Sequence, residues 1–176
     1  MAYVLDACAL LAFLNDEPGA ERIEAILNQS VAGECAVSMH INNLLEVFYG
    51  QLRKRGLEIA TIVLAAVDAY SITIIDTISD PVFHKAAYIK AAYKCSLADA
   101  IGLAAAFDLS GTFVTSDGEI KPIEAGEPIS IRWFRPPEPK KDKKRADLQA
   151  IIAERDRAVH TLAEANRRIA ELETKK

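Results

Sequence analysis

The chain has few of the side chains that staple or metallate small proteins. Its three cysteines, Cys8, Cys35 and Cys95, are odd in number, far apart and set among apolar residues. That argues against a disulfide framework and fits reduced, buried thiols. No CxxC pair occurs and the three histidines (His40, His84, His160) are scattered, so a zinc site lacks a ligand set. The amino terminus lacks the basic start and apolar run of a signal peptide, and no apolar stretch is long enough to span a bilayer. The expectation is a soluble, cytoplasmic protein with no membrane partner. A large positive excess is also missing. The net charge is −4; residues 136–176 carry 11 basic and 8 acidic side chains, a net of +3, which leaves −7 on residues 1–135. An acidic body is not the footprint of a simple nucleic-acid binder, unless its acids converge on divalent metal and the metal reverses the local field.

What is present is a length of 176 residues, 51% of them hydrophobic, enough for one domain with a real core plus an appendage. Tyr3-Val4-Leu5 is a short strand-forming run ended by Asp6, and Ala9 to Leu14 reads as the start of a buried helix. Helix then follows over 18–28, with Pro in its first turn, and strand over 34–38. From about His40 to Arg55 the spacing predicts a helix that buries Ile41, Leu44, Leu45, Phe48 and Leu52, with Asn42, Glu46, Tyr49 and Arg53 on the other face. Gly56 closes it. Helix over 57–70, strand over 71–75, helices over 79–94 and 96–107, strand over 111–115 and an edge strand over 128–134 complete the pattern. Strands alternating with helices predict an α/β fold, a mostly parallel sheet covered by helices on both faces. Right-handed crossovers bring the carboxyl ends of its strands to one edge.

Arg135-Pro-Pro-Glu-Pro-Lys-Lys-Asp-Lys-Lys-Arg145 interrupts this pattern with prolines and charges that cannot form a core. The expected division is a domain over 1–135, a stiff, solvated linker over 136–146 and an extra C-terminal amphipathic helix over 147–176. In that helix Leu148, Ile151, Arg155, Ala158, Leu162, Ala165, Ile169 and Leu172 alternate at four and three residues, a weak heptad seam suited to a partner or a second copy. A solvated helix packed on its own domain is the alternative.

Four acids fall in matching places. Asp6 and Asp117 directly follow strands, Glu46 lies two turns into a helix after the second strand, and Asp99 lies in the first turn of the helix before the fourth. All four can meet at the carboxyl edge of the sheet, where open α/β sheets place their sites. Each also has a plainer role. Asp6 suits an N-cap, Ser96-Leu-Ala-Asp99 has capping-box spacing, Glu46 suits a solvated helix face, and Ser116-Asp117-Gly118 suits a turn. Shared placement on four elements favours convergence. Gathered carboxylates repel one another unless cations compensate, and oxygen ligands without His or Cys suit Mg²⁺ or Mn²⁺.

The segments Val4-Leu-Asp6-Ala-Cys-Ala-Leu-Leu-Ala-Phe-Leu14, Asn43-Leu-Leu-Glu46-Val-Phe-Tyr-Gly50, Ser96-Leu-Ala-Asp99-Ala-Ile-Gly102 and Val114-Thr-Ser-Asp117 resemble, in order, the four acidic motifs of PIN-domain ribonucleases. The resemblance covers residues 1 to about 134 and is greatest to the VapC-type toxins of toxin–antitoxin pairs. It implies a Mg²⁺- or Mn²⁺-dependent endoribonuclease acting on RNA, commonly a homodimer, silenced by an antitoxin that occludes the site. Asp6, Glu46, Asp99 and Asp117 would be its catalytic and metal-binding acids. Many members carry a hydroxyl one or two residues after the first Asp, where this chain has Ala7 and Cys8. The resemblance therefore implies weaker outer support of Asp6 here.

Arg53, Lys54 and Arg55 are candidate phosphate contacts, although cations at a helix C-terminus are favourable without RNA. Two rivals come from other classes. One is a catalytically inactive PIN-like module that binds RNA or protein. The other is a phosphotransfer domain, either a phosphatase needing a second Asp where Cys8 stands, or a receiver needing paired acids and a late Lys that do not fit.

Overall fold

The computed structural model describes residues 1–138. The expected linker beyond Glu138 and the expected C-terminal helix lie outside the described residues. Five strands form one sheet in the order β3-β2-β1-β4-β5, and every neighbouring pair is parallel. The strands are β1 (Ala2–Leu5), β2 (Ala36–His40), β3 (Thr73–Ile75), β4 (Thr112–Asp117) and β5 (Ser130–Glu138). Helices α1 (Ala7–Leu14) and α2 (Ala20–Val31) join β1 to β2, and α3 (Ile41–Arg55) and α4 (Leu57–Ala69) join β2 to β3. Helices α5 (Asp80–Ala92) and α6 (Leu97–Asp108) lead to β4, and α7 (Lys121–Gly126) leads to β5. The chain moves outward through β2 and β3, then returns to place β4 on the other side of β1. Between β1 and β4 the strand order reverses, and parallel α/β sheets open a crevice at such a point.

Alternation along β1 divides the core. Tyr3 and Leu5 face a layer built with Leu10, Ile23, Leu27, Leu44 and Val63. Val4 faces the opposite layer with Ile89, Leu103, Phe113, Ile120 and Ile123. Both faces are therefore covered, as a parallel sheet requires. Helix α6 is buried from Asp99 through Ala106, and its alanines and glycine let it pass close to both sheet and neighbouring helices. Among the described residues no helix is long and apolar enough to cross a membrane.

Several expectations shift, each for a local reason. The strand expected over 71–75 starts only at Thr73, because Ser71 N and Ile72 N donate to Asp68 O and Val67 O and close α4 instead. Likewise Gly33 N and Glu34 N bond back into α2, so β2 starts at Ala36. Residues 118–126, to which the sequence pattern assigned no element, form a 3₁₀ turn (Gly118–Ile120) and α7, with Pro122 in the first turn. The strand expected to end at Phe134 runs on to Glu138, so Arg135 to Glu138 are strand and not linker. Helix α3 presents a different face from the expected one. It buries Asn43, Leu44, Val47 and Gln51, while Ile41, Leu45 and Leu52 are exposed. Two apolar stripes run along this helix, and polar Asn43 and Gln51 turn inward because they find hydrogen-bond partners on Asp6 and Asn15.

Helix α2 starts at Ala20, two residues after the expected Pro18, with Gly19 as its N-cap. The φ of Gly19 is +92°, and a Cβ there would stand 2.9 Å from both the Phe134 ring and the Phe134 carbonyl oxygen. The turn between α1 and α2 presses directly on β5. Gly19→Ala is expected to destabilise the fold by about 2 kcal/mol or more, because left-handed strain adds to a clash with backbone that cannot yield. Gly33→Ala, at φ +75° with nothing within 4 Å, should cost only about 1 kcal/mol. Equal losses in urea titrations would show that the contact with Phe134 is unimportant.

Candidate active site

Asp6 ends β1 at the crevice, tied to β4 by its amide, which donates to Val114 O at 3.0 Å. It occupies the N-cap position of α1, yet its carboxylate makes no capping bond. Instead Oδ2 accepts from the Thr115 hydroxyl at 2.6 Å and the Cys8 thiol at 3.1 Å, and Oδ1 accepts from the Asn43 amide at 3.3 Å. Those donors come from β4, α1 and α3, so the carboxylate is the junction of three elements. It is 3% exposed. Burial first, and the charge of Asp99 second, push its carboxyl up from 3.8 to about 6, against the pull of the hydrogen bonds.

Asp99 performs its plainer role as well. Ser96 N donates to Asp99 Oδ2 at 3.0 Å and Asp99 N donates to Ser96 Oγ at 3.0 Å, a complete capping box. The cap fixes the acid at the start of α6, where it is 6% exposed and acts on Asp6. One turn later Gly102 explains the close approach. A Cβ there would meet Phe113 at 2.8 Å and Asn43 Oδ1 at 3.2 Å. Asp117 ends β4, and its Oδ1 accepts from Glu119 N at 2.9 Å, capping the 3₁₀ turn. Burial, then Asp99, with Glu119 and Asp117 further down, push the buried Cys95 thiol up against the pull of Lys90.

Glu46 lies on α3 one turn beyond Asn43 and is half-buried. The helix that carries it is capped by His40, whose Nδ1 accepts from Asn42 N at 3.3 Å. Burial lowers the His40 imidazole and so favours the neutral ring, and the bond from Asn42 N makes Nδ1 its accepting nitrogen. Arg53, Lys54 and Arg55 occupy the last turn of α3 and are exposed. Lys54 and Arg55 line a cleft of about 340 Å³ with Asn15, Glu17 and Gln51, and none of the four acids lines it. The basic residues thus begin two turns, about 10 Å, along the helix from Glu46.

Among the described residues no three His, Cys, Asp or Glu side chains form a group that could hold a metal ion by themselves. The donor set nonetheless fits a hard, hydrated cation. Asp6 and Asp99 are buried like charges, and Asn43 Oδ1 beside them is buried and accepts no hydrogen bond among the described residues. Mg²⁺ binds through one or two carboxylates and keeps several waters, so a pair of acids with others at water-bridged distance suits it.

Two partners of Asp6, Asn43 and Thr115, were not singled out from sequence, and the third, Cys8, stood out only as a place where a family hydroxyl is missing. Each has a periodic signal, since Asn43 precedes Glu46 by three on a helix, Thr115 precedes Asp117 by two on a strand, and Cys8 is in the first turn after Asp6. The support missing from Ala7 and Cys8 as hydroxyls comes from elsewhere. Thr115 supplies the short bond, and the Cys8 thiol, pushed well up by burial and by the Asp6 charge, stays protonated and donating.

The fold is that of several solved toxin–antitoxin proteins. VapBC2 from Rickettsia felis, bound to a DNA fragment from its promoter, aligns with a TM-score of 0.63 at 17% identity, over 77% of this chain and 100% of that one. VapBC-1 from nontypeable Haemophilus influenzae gives 0.57 at 12%, over 76% and 98%. VapC20 from Mycobacterium tuberculosis, a sarcin–ricin loop cleaving toxin, gives 0.55 at 15%, over 70% and 95%. At these identities the likeness is one of fold. No curated protein matches the sequence. The PIN domain family model matches residues 3–125, a span that holds β1 through β4, the crevice and all four acids, and this chain belongs to the PIN domain family.

Proposed function

We propose that the chain is a metal-dependent endoribonuclease that hydrolyses RNA phosphodiester bonds and serves as the toxin of a toxin–antitoxin pair. The observation that carries this reading is Asp6. It is a buried carboxylate at the switch point of the sheet, fixed by donors from three elements and raised to about 6 by burial and by Asp99. Two buried acids that repel each other are costly without a cation. Asp6, Asp99, Asp117 and Glu46 would hold Mg²⁺ or Mn²⁺. When bound, such an ion lowers the pKa of a coordinated water and neutralises charge on a phosphate. The side chains around it have other tasks. Thr115, Cys8 and Asn43 fix the rotation of the Asp6 carboxylate, and the Ser96 cap fixes Asp99. Arg53, Lys54 and Arg55 offer phosphate contacts further along α3 and would track the RNA backbone rather than the scissile bond.

Family membership and likeness to toxin–antitoxin complexes support an antitoxin as partner. So does the face of α3 that leaves Ile41, Leu45, Tyr49 and Leu52 exposed, apolar surface of the kind that marks protein contacts. A homodimer would cover the same type of surface. A cytoplasmic location accords with these partners.

The test is cleavage of a single-stranded RNA by the purified chain. Cutting is expected only with Mg²⁺ or Mn²⁺, with 5′-phosphate ends, and Asp99→Asn should remove it. Cleavage that persists in excess EDTA would falsify the mechanism. RNA binding without cleavage at any metal concentration would favour the inactive module.

A further inference from the structure

The hydrogen bonds around Asp6 continue beyond Cys8. While the Cys8 proton points to Asp6 Oδ2 at 3.1 Å, its sulfur accepts from the Ser116 amide at 3.3 Å and from the Ser116 hydroxyl at 3.6 Å. Ser116 Oγ in turn accepts from Arg135 Nε at 3.3 Å. Arg135 is held at its far end, where Nη1 donates to Glu17 Oε2 at 3.2 Å and to the Pro18 carbonyl at 3.4 Å. Every donor in this series faces the same way, from Arg135 to Ser116 to Cys8 to Asp6. Aligned bonds polarise one another, and this series begins at a positive charge and ends on a carboxylate.

A thiol is a weak donor whose proton turns easily about the Cβ–S bond. The sulfur also lies 3.5 Å from Thr115 Oγ1, a second candidate acceptor for its single proton, and the two contacts it receives from Ser116 favour aiming that proton at Asp6. One of them, the Ser116 hydroxyl, rotates as well unless something holds it. Arg135 supplies that hold. Its ion pair with Glu17 is partly exposed, 20% and 39% for the two side chains, and such pairs add little to stability. The contact with Ser116 therefore gives Arg135 a more specific task than holding the fold. Residue 135 also lies past the end of the family match at residue 125, so the last strand of this chain contributes to a site that the matched segment does not contain whole.

We infer that Arg135 is a positioning residue for the Asp6 carboxylate, acting through Ser116 and Cys8. The inference rests on the reading of Asp6 as a metal-holding acid, and the experiment separates the two. In the full chain, Arg135→Gln, Ser116→Ala and the double variant are compared with wild type. Mn²⁺ affinity is measured by electron paramagnetic resonance of the free ion. Infrared difference spectra follow the Cys8 S–H band, assigned by its loss in Cys8→Ser, and the Asp6 carboxylate band, assigned by its loss in Asp6→Asn. Each single variant is expected to weaken Mn²⁺ binding about 10-fold, the size usual for a partner of a metal ligand. The double should lose no more than either single, since both cut one path. Both infrared bands should move. Lys85→Met, which breaks the Lys85–Glu127 ion pair (2.7 Å) elsewhere, should lower the melting temperature and leave both bands and the Mn²⁺ affinity alone. An unmoved Asp6 band in Arg135→Gln overturns the inference. So does a moved band with unchanged Mn²⁺ affinity, because Arg135 would then not serve metal binding. If wild type binds no Mn²⁺, the metal-holding reading of Asp6 fails, and the Asp6 band alone decides whether Arg135 positions the carboxylate.

Discussion

Asp6→Asn is expected to melt higher than the wild-type chain in EDTA at neutral pH, and to lose RNA cleavage by more than about 100-fold. Both effects have one cause. The folded protein raises this carboxyl from 3.8 to about 6, so above pH 6 it holds a charge that the unfolded chain carries more easily. The difference corresponds to roughly 3 kcal/mol. Its sign follows from the upward direction. The stability it represents is full below about pH 4, falls as pH rises through about 6 and stays lost above. Asn removes the charge but cannot accept from three donors at once, which offsets about 1–2 kcal/mol. A net gain of about 1–2 kcal/mol remains, or several degrees in melting temperature for a body of this size. The gain should vanish below about pH 4, where wild-type Asp6 is also neutral. Mg²⁺ at 100 times its dissociation constant should stabilise wild type by about 2.7 kcal/mol by linkage and leave the variant unmoved. The fall in activity exceeds the 10- to 100-fold typical of a ligand's partner because the ligand itself is lost. A variant less stable than wild type at every pH, with its Mg²⁺ response intact, would place the strained charge and the metal elsewhere.

Gly102→Val should be among the most damaging single substitutions in the chain, with a loss of about 3 kcal/mol or more and no response to Mg²⁺. The Cβ alone would lie 2.8 Å from the ring of Phe113, which is fully buried, and 3.2 Å from Asn43 Oδ1. Neither neighbour has room. Phe113 is packed in the layer beneath α6, and Asn43 is tied to Asp6. Overpacking of this kind costs about 1–3 kcal/mol, and the branched side chain adds further atoms to the clash. Any relief moves α6 outward and takes Asp99 away from Asp6, so stability and metal response fall together. Gly50→Ala is the control. Gly50 sits in α3 with nothing within 4 Å of where an added Cβ would lie, and the change should stabilise by about 0.5–1 kcal/mol through helix propensity. Urea denaturation of both variants checks the pair. Wild-type stability in Gly102→Val would mean that α6 can move away from the sheet at no cost.

Strand and helix periods along the chain determined the α/β class and the parallel sheet. These are local properties, since a run such as Tyr3-Val4-Leu5 or a cap such as Ser96-Leu-Ala-Asp99 takes its conformation from its own neighbours. Asp6, Asp99 and Asp117 stood out as candidates for the same reason, each at a recognisable strand end or helix start, while Glu46, two turns into its helix, stood out only through its place in the series of acids. Tertiary structure alone decided which face of α3 is buried, because its two apolar stripes are equivalent until Asn43 meets Asp6 and Gln51 meets Asn15. It alone turned Arg135 from a residue of a proline-rich segment into a strand residue bonded to Ser116 and Glu17, since β5 exists only where β4 offers its edge. It also decided the state of Asp6. Burial, a second acid 93 positions away (99 − 6) and donors from three elements set that carboxyl at about 6, and none of these is a property of the residues beside it in sequence. Desolvation and charge repulsion act through space, and only the folded chain brings those groups together.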